Sequence, residues 1–134
     1  MTAEIDALFA AARDAREKAH APYSHFKVGA AVRAASGRIY AGCNVENAAY
    51  PVGTCAEAGA IAAMIAGGDT EIAEALVMAD SPDPATPCGA CRQRIAEFAG
   101  HATPVHSAGA DGLRVTFTMQ ELLPYGFGPA MLKG

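Results

Sequence analysis

The sequence contains no tryptophan, few charged residues and no apolar run of the length of a transmembrane helix. Lysine and arginine together number 10, against 14 aspartates and glutamates, which gives a net charge of −4. This balance argues against nucleic acid as a partner, because proteins that bind phosphate backbones usually carry a basic stripe. Since a membrane-spanning helix needs about 20 consecutive apolar residues, no membrane partner is expected either.

The chain has four cysteines in 134 residues. The N-terminal segment lacks the basic and apolar regions of a signal peptide, so we expect a cytoplasmic protein whose thiols stay reduced. In that setting a Cys-x-x-Cys pair typically binds a metal or carries out redox chemistry. The length predicts one domain over residues 1–134, and an apolar fraction of 51% is enough for a substantial core.

Apolar spacing and turn residues predict the element order α-β-β-α-β-α-β-β-α. Predicted helices cover residues 2–20, 55–66 and 88–98, and a short fourth helix is capped by Thr118. Predicted strands cover residues 26–34, 38–42, 72–79, 105–107 and 113–117. The Ser36-Gly37 turn indicates an antiparallel hairpin, whereas strands that alternate with helices imply parallel crossovers. We therefore predict an α/β fold with a mixed sheet.

Three cysteines and one glutamate carry the chemical signal. Cys55-Ala56-Glu57 precedes Cys88-Gly89-Ala90-Cys91, and both segments fall at predicted helix starts. Three thiolates can hold zinc with its fourth position open, and Glu57 is spaced to reach a water there as general base and then general acid. The N–H groups and partial positive charge of a helix start stabilise thiolates. This pattern indicates a hydrolytic zinc centre.

Other interpretations of these residues exist. Glu57 is also an ordinary first-turn helix glutamate that interacts with the helix dipole. Cys43 is a possible fourth ligand of a purely structural zinc site, and all four cysteines could instead be buried, inert thiols. A thiol redox protein built on Cys88 and Cys91 would leave Cys55 and Glu57 without a role.

The ordered set of motifs resembles the small, homotetrameric cytidine deaminases. The resemblance runs from Ala21 nearly to the C-terminus, and it rests on the segments 22–31, 42–50, 55–57, 87–93 and 122–127. It implies a three-layer αβα fold with a mixed five-stranded sheet. It also implies hydrolysis of cytidine and deoxycytidine to uridine and deoxyuridine, with release of ammonia, in pyrimidine salvage. One Zn²⁺ per chain would be held by Cys55, Cys88 and Cys91, with Glu57 as proton shuttle.

The resemblance also assigns residues to the sugar of a nucleoside substrate. Asn44 and Glu46 would bind the ribose 3′-hydroxyl. Residues at i and i+2 of an extended segment point the same way, and an amide with a carboxylate can both donate to and accept from a hydroxyl. From the residues alone, an ordinary polar loop with local turns at Asn44 and Asn47 is the simpler interpretation.

Four further positions take substrate-binding roles from the resemblance. Phe26 would pack on the nucleoside, and Ala56 would contact the base through its backbone. Phe127 and Tyr50 would reach the site of a neighbouring subunit, which makes the active unit a homotetramer with shared sites. An aromatic residue at the start of a strand, as Phe26 is, otherwise belongs to the core.

The sequence departs from the family at one position beside the motif. Many relatives carry an arginine directly after the glutamate, where it hydrogen-bonds the zinc thiolates, whereas this chain has Ala58. We therefore expect Arg92 to support the zinc thiolates here. The alternatives are a deaminase of a related nucleoside, such as a nucleoside antibiotic, or a non-catalytic structural zinc module. A free base or a polynucleotide is disfavoured as substrate, because the former has no ribose and the latter conflicts with the charge.

Overall fold

A mixed sheet of five strands forms the centre of the computed structural model, which describes residues 2–133. The strand order is β2-β1-β3-β4-β5, and only β3 and β4 run parallel among the pairs of this sheet. The strands are β1 Val28–Ala34, β2 Ile39–Cys43, β3 Ile72–Ala79, β4 Pro104–Gly109 and β5 Gly112–Thr118. The predicted mixed sheet and its opening antiparallel hairpin are confirmed.

Helices cover both faces of the sheet, which makes the fold a three-layer α/β arrangement. Within residues 2–133 the α-helices are α1 Ala3–Glu17, α2 Ala56–Ala66, α3 Gly89–Phe98 and α4 Met119–Leu122. On one face α1 buries Leu8 against Leu76 and Met78. On the other face Met64 of α2 and Ile95 of α3 belong to a second buried cluster. Within residues 2–133, no helix combines the length and apolar character that crossing a membrane requires.

The helix starts follow the capping residues of the sequence. The Thr2 hydroxyl accepts a hydrogen bond from the Ile5 backbone N–H at 3.2 Å. Thr118 and Glu121 cap α4 reciprocally, as the capping box predicts. Two short 3₁₀ helices, at Tyr50–Val52 and Pro129–Met131, lie in segments without a predicted helix or strand. Each begins at or next to a proline, which has no backbone N–H and is well suited to a first helical position.

A glycine sets how closely α2 approaches the sheet. A β-carbon at Gly42 would lie 2.6 Å from the Ala56 carbonyl oxygen and closer still to the Ala60 backbone nitrogen. Real β-carbons do not approach backbone atoms this closely, so only glycine permits the contact. Because Ala56 follows Cys55 and precedes Glu57, the close approach fixes both of these residues relative to β2.

Candidate functional site

Three cysteine side chains meet where α2 and α3 begin. Cys55 is the N-cap of α2 and Cys88 the N-cap of α3, while Cys91 lies in the first turn of α3. Their sulfur atoms all lie within 4.8 Å of one another, and the Cys55 and Cys88 sulfurs are 4.0 Å apart. Zinc–sulfur bonds of about 2.3 Å in a tetrahedron separate the sulfurs by about 3.8 Å. The cluster therefore fits a zinc ion with three thiolate ligands.

The protein environment acts differently on the three thiols. Burial opposes ionisation of Cys88, but hydrogen bonds from the backbone N–H groups of Cys91 and Ala90 and from neighbouring thiols outweigh it and lower its pKa. Burial raises the pKa of Cys55 and of Cys91 above that of an ordinary thiol. A cation that binds here must therefore displace protons from buried thiols, and its affinity falls as the pH falls.

Glu57 lies beside the cysteine cluster, in the first turn of α2. Its residue surface is only 6% exposed, and burial raises the pKa of its carboxyl group; hydrogen bonds from its own backbone N–H and from the Cys91 thiol, and the positive charge of Arg94, offset part of this rise. A carboxyl whose pKa moves toward neutrality exchanges protons more readily at physiological pH. A buried, ionisable glutamate beside the cysteine cluster suits proton transfer better than it suits a surface role at a helix start.

A cavity of about 210 Å³ opens onto these residues, and Cys55, Glu57 and Cys88 line it. Phe26 forms part of its wall with 44% of its surface exposed, so the expectation of a core role from its position in the sequence is wrong. Ala56 is fully buried and also lines the cavity. A second cavity of about 520 Å³ adjoins it, since Cys55 and Asn44 line both.

Asn44 and Glu46 line the larger cavity, and both also hold the chain in place. The Asn44 amide donates to the Phe26 carbonyl oxygen at 2.8 Å and accepts from the Val28 N–H at 2.9 Å. Glu46 accepts from the N–H groups of Tyr23 and Ser24 at 3.0 and 3.1 Å, and from the Ser24 hydroxyl. These bonds connect distant segments, so the local turn considered for Asn44 is wrong.

A local turn does occur at Asn47, where the Ala49 N–H donates to the side-chain oxygen at 2.9 Å. The hydrogen bonds from Ser24 and Tyr23 outweigh the effect of burial at Glu46 and keep its pKa below the ordinary value. At neutral pH the cavity therefore presents an ionised carboxylate with acceptor capacity left, because a carboxylate offers about four acceptor sites.

Tyr50 and Phe127 are the two residues expected to act across a subunit interface. Tyr50 lies at the rim of the larger cavity, and Phe127 lies apart from the cysteines. Tyr50 is 77% exposed, lines the larger cavity and stacks edge-on against Tyr23 with ring centroids 6.1 Å apart. Phe127 is 55% exposed and lines a third cavity, together with His101 and Met119, that contains none of the three cysteines. One chain alone therefore does not bring Phe127 to the cluster.

Arg92 does not contact a cysteine sulfur. Its guanidinium donates to the carbonyl oxygens of Pro87 and Leu122 at 2.8 and 2.9 Å, and to the Thr86 hydroxyl at 3.0 Å. The expected direct support of the thiolates by Arg92 is thus corrected: this side chain anchors the loop before Cys88 to the end of α4. All three of its nitrogens are engaged with oxygen atoms.

Arg94 makes the contact that was expected of Arg92. Its Nη1 atom donates to the Cys91 sulfur at 3.3 Å. The sequence analysis missed this residue, although the spacing of Cys91 and Arg94 contained the signal. Residues three apart on a helix are neighbours on its surface, and the predicted helix already covered both.

Cys43 stands outside the cluster. It ends β2, opposite Gly29, and among residues 2–133 the group of side chains close enough to share a metal contains only Cys55, Cys88 and Cys91. A four-cysteine structural site is therefore disfavoured. The joint placement of Cys55 and Glu57 beside Cys88 and Cys91 equally disfavours a simple dithiol redox centre.

Comparisons with known proteins agree with this geometry. The family described as "Cytidine and deoxycytidylate deaminase zinc-binding region" matches residues 2–107. A cytidine deaminase of Sporosarcina psychrophila is 43% identical over 92% of this chain and 91% of its own length. A cytidine deaminase of Halalkalibacterium halodurans is 41% identical over 84% of this chain and 86% of its own length.

Solved structures extend the similarity to the fold. The crystal structure of a cytidine deaminase from Burkholderia pseudomallei superposes with a TM-score of 0.86 and 41% identity, over 95% of this chain and all of that one. The structure of the Mycobacterium tuberculosis cytidine deaminase gives a TM-score of 0.79 and 31% identity, over 95% and 99% of the two chains. The three-layer fold with a mixed five-stranded sheet is thereby confirmed.

Proposed function

The chain belongs to the cytidine and deoxycytidylate deaminase family, and on that premise we propose that it hydrolyses cytidine and deoxycytidine to uridine and deoxyuridine, releasing ammonia. The observation that carries the proposal is the buried Glu57 carboxyl group, which shares one cavity with Cys55 and Cys88 of the three-cysteine cluster. A steady-state assay of the zinc-loaded protein with cytidine, followed by ultraviolet absorbance, tests it. Absence of turnover in protein that holds one zinc per chain would contradict it.

The residues divide the work of this reaction between metal binding and proton transfer. Cys55, Cys88 and Cys91 would hold zinc, which would supply a water whose pKa is lowered far below that of bulk water, to about 7. As the water oxygen bonds to C4 of the base, Glu57 would take one water proton and deliver it to the ring nitrogen N3. It would then carry the remaining hydroxyl proton to the amino nitrogen, so that the C4–N bond breaks, the C4 carbonyl forms and ammonia leaves. Burial favours this cycle, because a carboxyl group with a raised pKa both takes up and returns a proton near neutral pH.

Recognition of the sugar is proposed for Asn44 and Glu46. Both line the 520 Å³ cavity that adjoins the cysteine cluster. The Asn44 side-chain nitrogen has a second hydrogen beyond the one given to Phe26, and the Glu46 carboxylate keeps acceptor capacity. A ribose 3′-hydroxyl can donate to the carboxylate and accept from the amide. Phe26 would pack on the nucleoside from the cavity wall, and the Ala56 backbone would contact the base.

Glu46→Gln tests the sugar contact. A hydrogen bond to a charged group contributes about 1.5–3 kcal/mol, so we expect KM for cytidine to rise by roughly 10- to 100-fold. With 3′-deoxycytidine, which lacks the hydroxyl, the wild type and the variant should have similar KM values. Steady-state kinetics of both proteins with both nucleosides give the comparison.

Ser24→Ala is the matched control, because it removes a support of the Glu46 carboxylate but leaves the carboxylate itself. Any effect of loosening the loop should then apply to cytidine and 3′-deoxycytidine alike. If Glu46→Gln also weakened both nucleosides equally, its role would be to hold Tyr23 and Ser24 rather than to bind the sugar.

A homotetramer with shared sites is proposed for the assembly. Large side chains remain exposed on a single chain, among them Tyr50, Tyr125 and Phe127. The Phe127 side chain lies in a cavity away from its own chain's cysteines, which agrees with a role in a neighbouring copy. Tyr50 at the rim of the larger cavity could contribute across the same boundary.

Complementation between two impaired variants tests this sharing. Phe127→Ala and Glu57→Gln are each expected to lose most activity. In a mixed tetramer, sites that pair an intact Glu57 with an intact Phe127 from a neighbour should recover turnover. Co-expression with two affinity tags, followed by assay of the doubly purified protein, measures the recovery. No recovery in verified mixed tetramers would show that the sites are not shared in this way.

A cytoplasmic location and a role in pyrimidine salvage complete the proposal. Cytoplasmic conditions keep thiols reduced, as a three-cysteine zinc site requires. We propose residues 1–134 as one nucleoside deaminase domain. The acidic net charge of −4 supports a small nucleoside rather than a nucleic acid as substrate.

A further inference from the structure

The cysteine cluster carries an excess of negative charge when it holds a metal. Three thiolates around a divalent cation leave a net charge of about −1, and an ionised Glu57 beside them adds another. The residue that follows Glu57 on α2 is Ala58, which brings no charge. Charged groups that are partly removed from water need a partner of opposite charge or hydrogen-bond donors. The two helix starts supply N–H donors, but these carry only partial charge.

Arg94 supplies a full positive charge from the other helix. It lies one turn after Cys91 on α3, with the residue itself exposed and its guanidinium reaching inward to the fully buried Cys91. The distance from Arg94 Nη1 to the Cys91 sulfur is 3.3 Å, within the range of a hydrogen bond to sulfur. Arg92, which is closer in sequence, is engaged with three oxygen atoms instead.

We propose that Arg94 is the positioning residue of the zinc site, which balances the thiolate charge from α3 in a chain that has alanine at position 58. It acts through Cys91, by donating to the sulfur and holding it toward the metal. Hydrogen bonds of this kind to a metal ligand fix its orientation and tune its basicity. The proposal rests on the zinc site of the proposed function, but not on the choice of nucleoside.

Zinc affinity of Arg94→Gln is the primary test. Loss of a partner that hydrogen-bonds a metal ligand typically costs 10- to 100-fold in metal affinity, and we expect a decrease in that range. Competition with a coloured zinc chelator measures it without reference to activity. Arg94→Lys keeps the charge and should recover part of the affinity. Arg13→Gln removes one positive charge from an exposed position on α1 and should leave the affinity unchanged.

Replacing zinc with cobalt gives a spectroscopic measurement that distinguishes the proposed role of Arg94 from a merely structural one, because a general structural effect would not shift the absorption bands of the metal site. A hydrogen bond to a thiolate stabilises the sulfur electrons, so its loss should shift the sulfur-to-cobalt charge-transfer band to longer wavelength in Arg94→Gln. Ala58→Arg, introduced into the Arg94→Gln variant, should restore zinc affinity, because it places a cation beside the cluster from α2. If Arg94→Gln does not fold, the zinc affinities of Arg94→Lys and of the double variant Arg94→Gln with Ala58→Arg provide the test.

Two results would overturn the proposal. One is an unchanged zinc affinity and an unchanged cobalt band in Arg94→Gln. The other is a lower affinity that accompanies an equal loss of stability in the zinc-free protein, with the cobalt band unmoved. The substrate assignment fails separately: wild-type protein that does not deaminate cytidine, while Arg94→Gln still loses zinc, would refute the substrate and leave the role of Arg94 intact.

Discussion

Glu57→Gln is expected to lower the turnover of cytidine by about 10⁴-fold, the upper end of the range for general acid–base catalysis. The upper end applies because one carboxyl group both accepts and delivers a proton. Glutamine has nearly the same shape and can still hydrogen-bond, but it cannot carry a proton between water and base. Steady-state rates of zinc-loaded wild type and variant, at equal zinc content, measure the effect.

Two comparisons separate chemistry from folding in this experiment. Glu97→Gln makes the same substitution at an exposed position of α3 and should leave turnover unchanged. Zinc content and the far-ultraviolet circular dichroism of Glu57→Gln should match the wild type. A decrease of less than about tenfold would mean that Glu57 is not the proton carrier, since even one general acid–base step is worth more.

Without zinc, Glu57→Gln should be more stable than the wild type, although it is expected to lose activity. Burial raises the pKa of Glu57, so the folded state holds its proton more tightly than the unfolded chain does. This tighter proton binding stabilises the folded state fully at pH values below the ordinary carboxyl pKa. The stabilisation is lost as the pH rises through the raised pKa of Glu57 in the folded state. Glutamine does not ionise and avoids this loss. The advantage of Glu57→Gln in zinc-free unfolding should therefore grow from acidic to neutral pH.

The positions of the cysteines at the starts of helices were predictable from the sequence, because they depend on residue spacing within a short segment. Cys55 and Cys88 precede helices that apolar spacing and glycine stops delimit, and both are the observed N-caps. β3 was predicted with its observed bounds, because an apolar run interrupted only by Glu74 is typical of a largely buried strand. β4 is longer than predicted at both ends, since its pairing with β3 and β5 extends it beyond the apolar residues.

The missed features depend on contacts between distant segments. His106 in β4 is one of them: it is 4% exposed, 2.5 Å from the Glu74 carboxylate and 2.7 Å from the Thr116 hydroxyl. Its partners lie on neighbouring strands, which no local pattern reveals. The thiolate contact was predicted for Arg92 but is made by Arg94, and this error has the same origin. The Arg92 guanidinium donates instead to the Leu122 carbonyl oxygen at the end of α4, which is distant in sequence.

Replacing one cluster cysteine should abolish metal binding and, with it, much of the stability of the folded chain. For Cys91→Ser we expect almost no zinc per chain, because a hydroxyl group ionises far less readily than a thiol and is a poor ligand for zinc. A ligand present at 1,000 times its Kd stabilises the folded state by about 4 kcal/mol, so loss of zinc should lower the free energy of unfolding by that order. Metal analysis and denaturant unfolding in matched buffers measure the two effects.

Cys43→Ser makes the same chemical change in the remaining cysteine and decides between a catalytic and a structural zinc site. Cys43 lies outside the three-sulfur cluster, so the variant should keep its zinc and its turnover, with only the small stability change of a half-buried substitution. Loss of zinc from Cys43→Ser would instead mean that Cys43 is a fourth ligand, which would fill the coordination position that water needs for hydrolysis. Retention of zinc with loss in Cys91→Ser leaves that position open, and an open position beside Glu57 is what hydrolytic chemistry at this site requires.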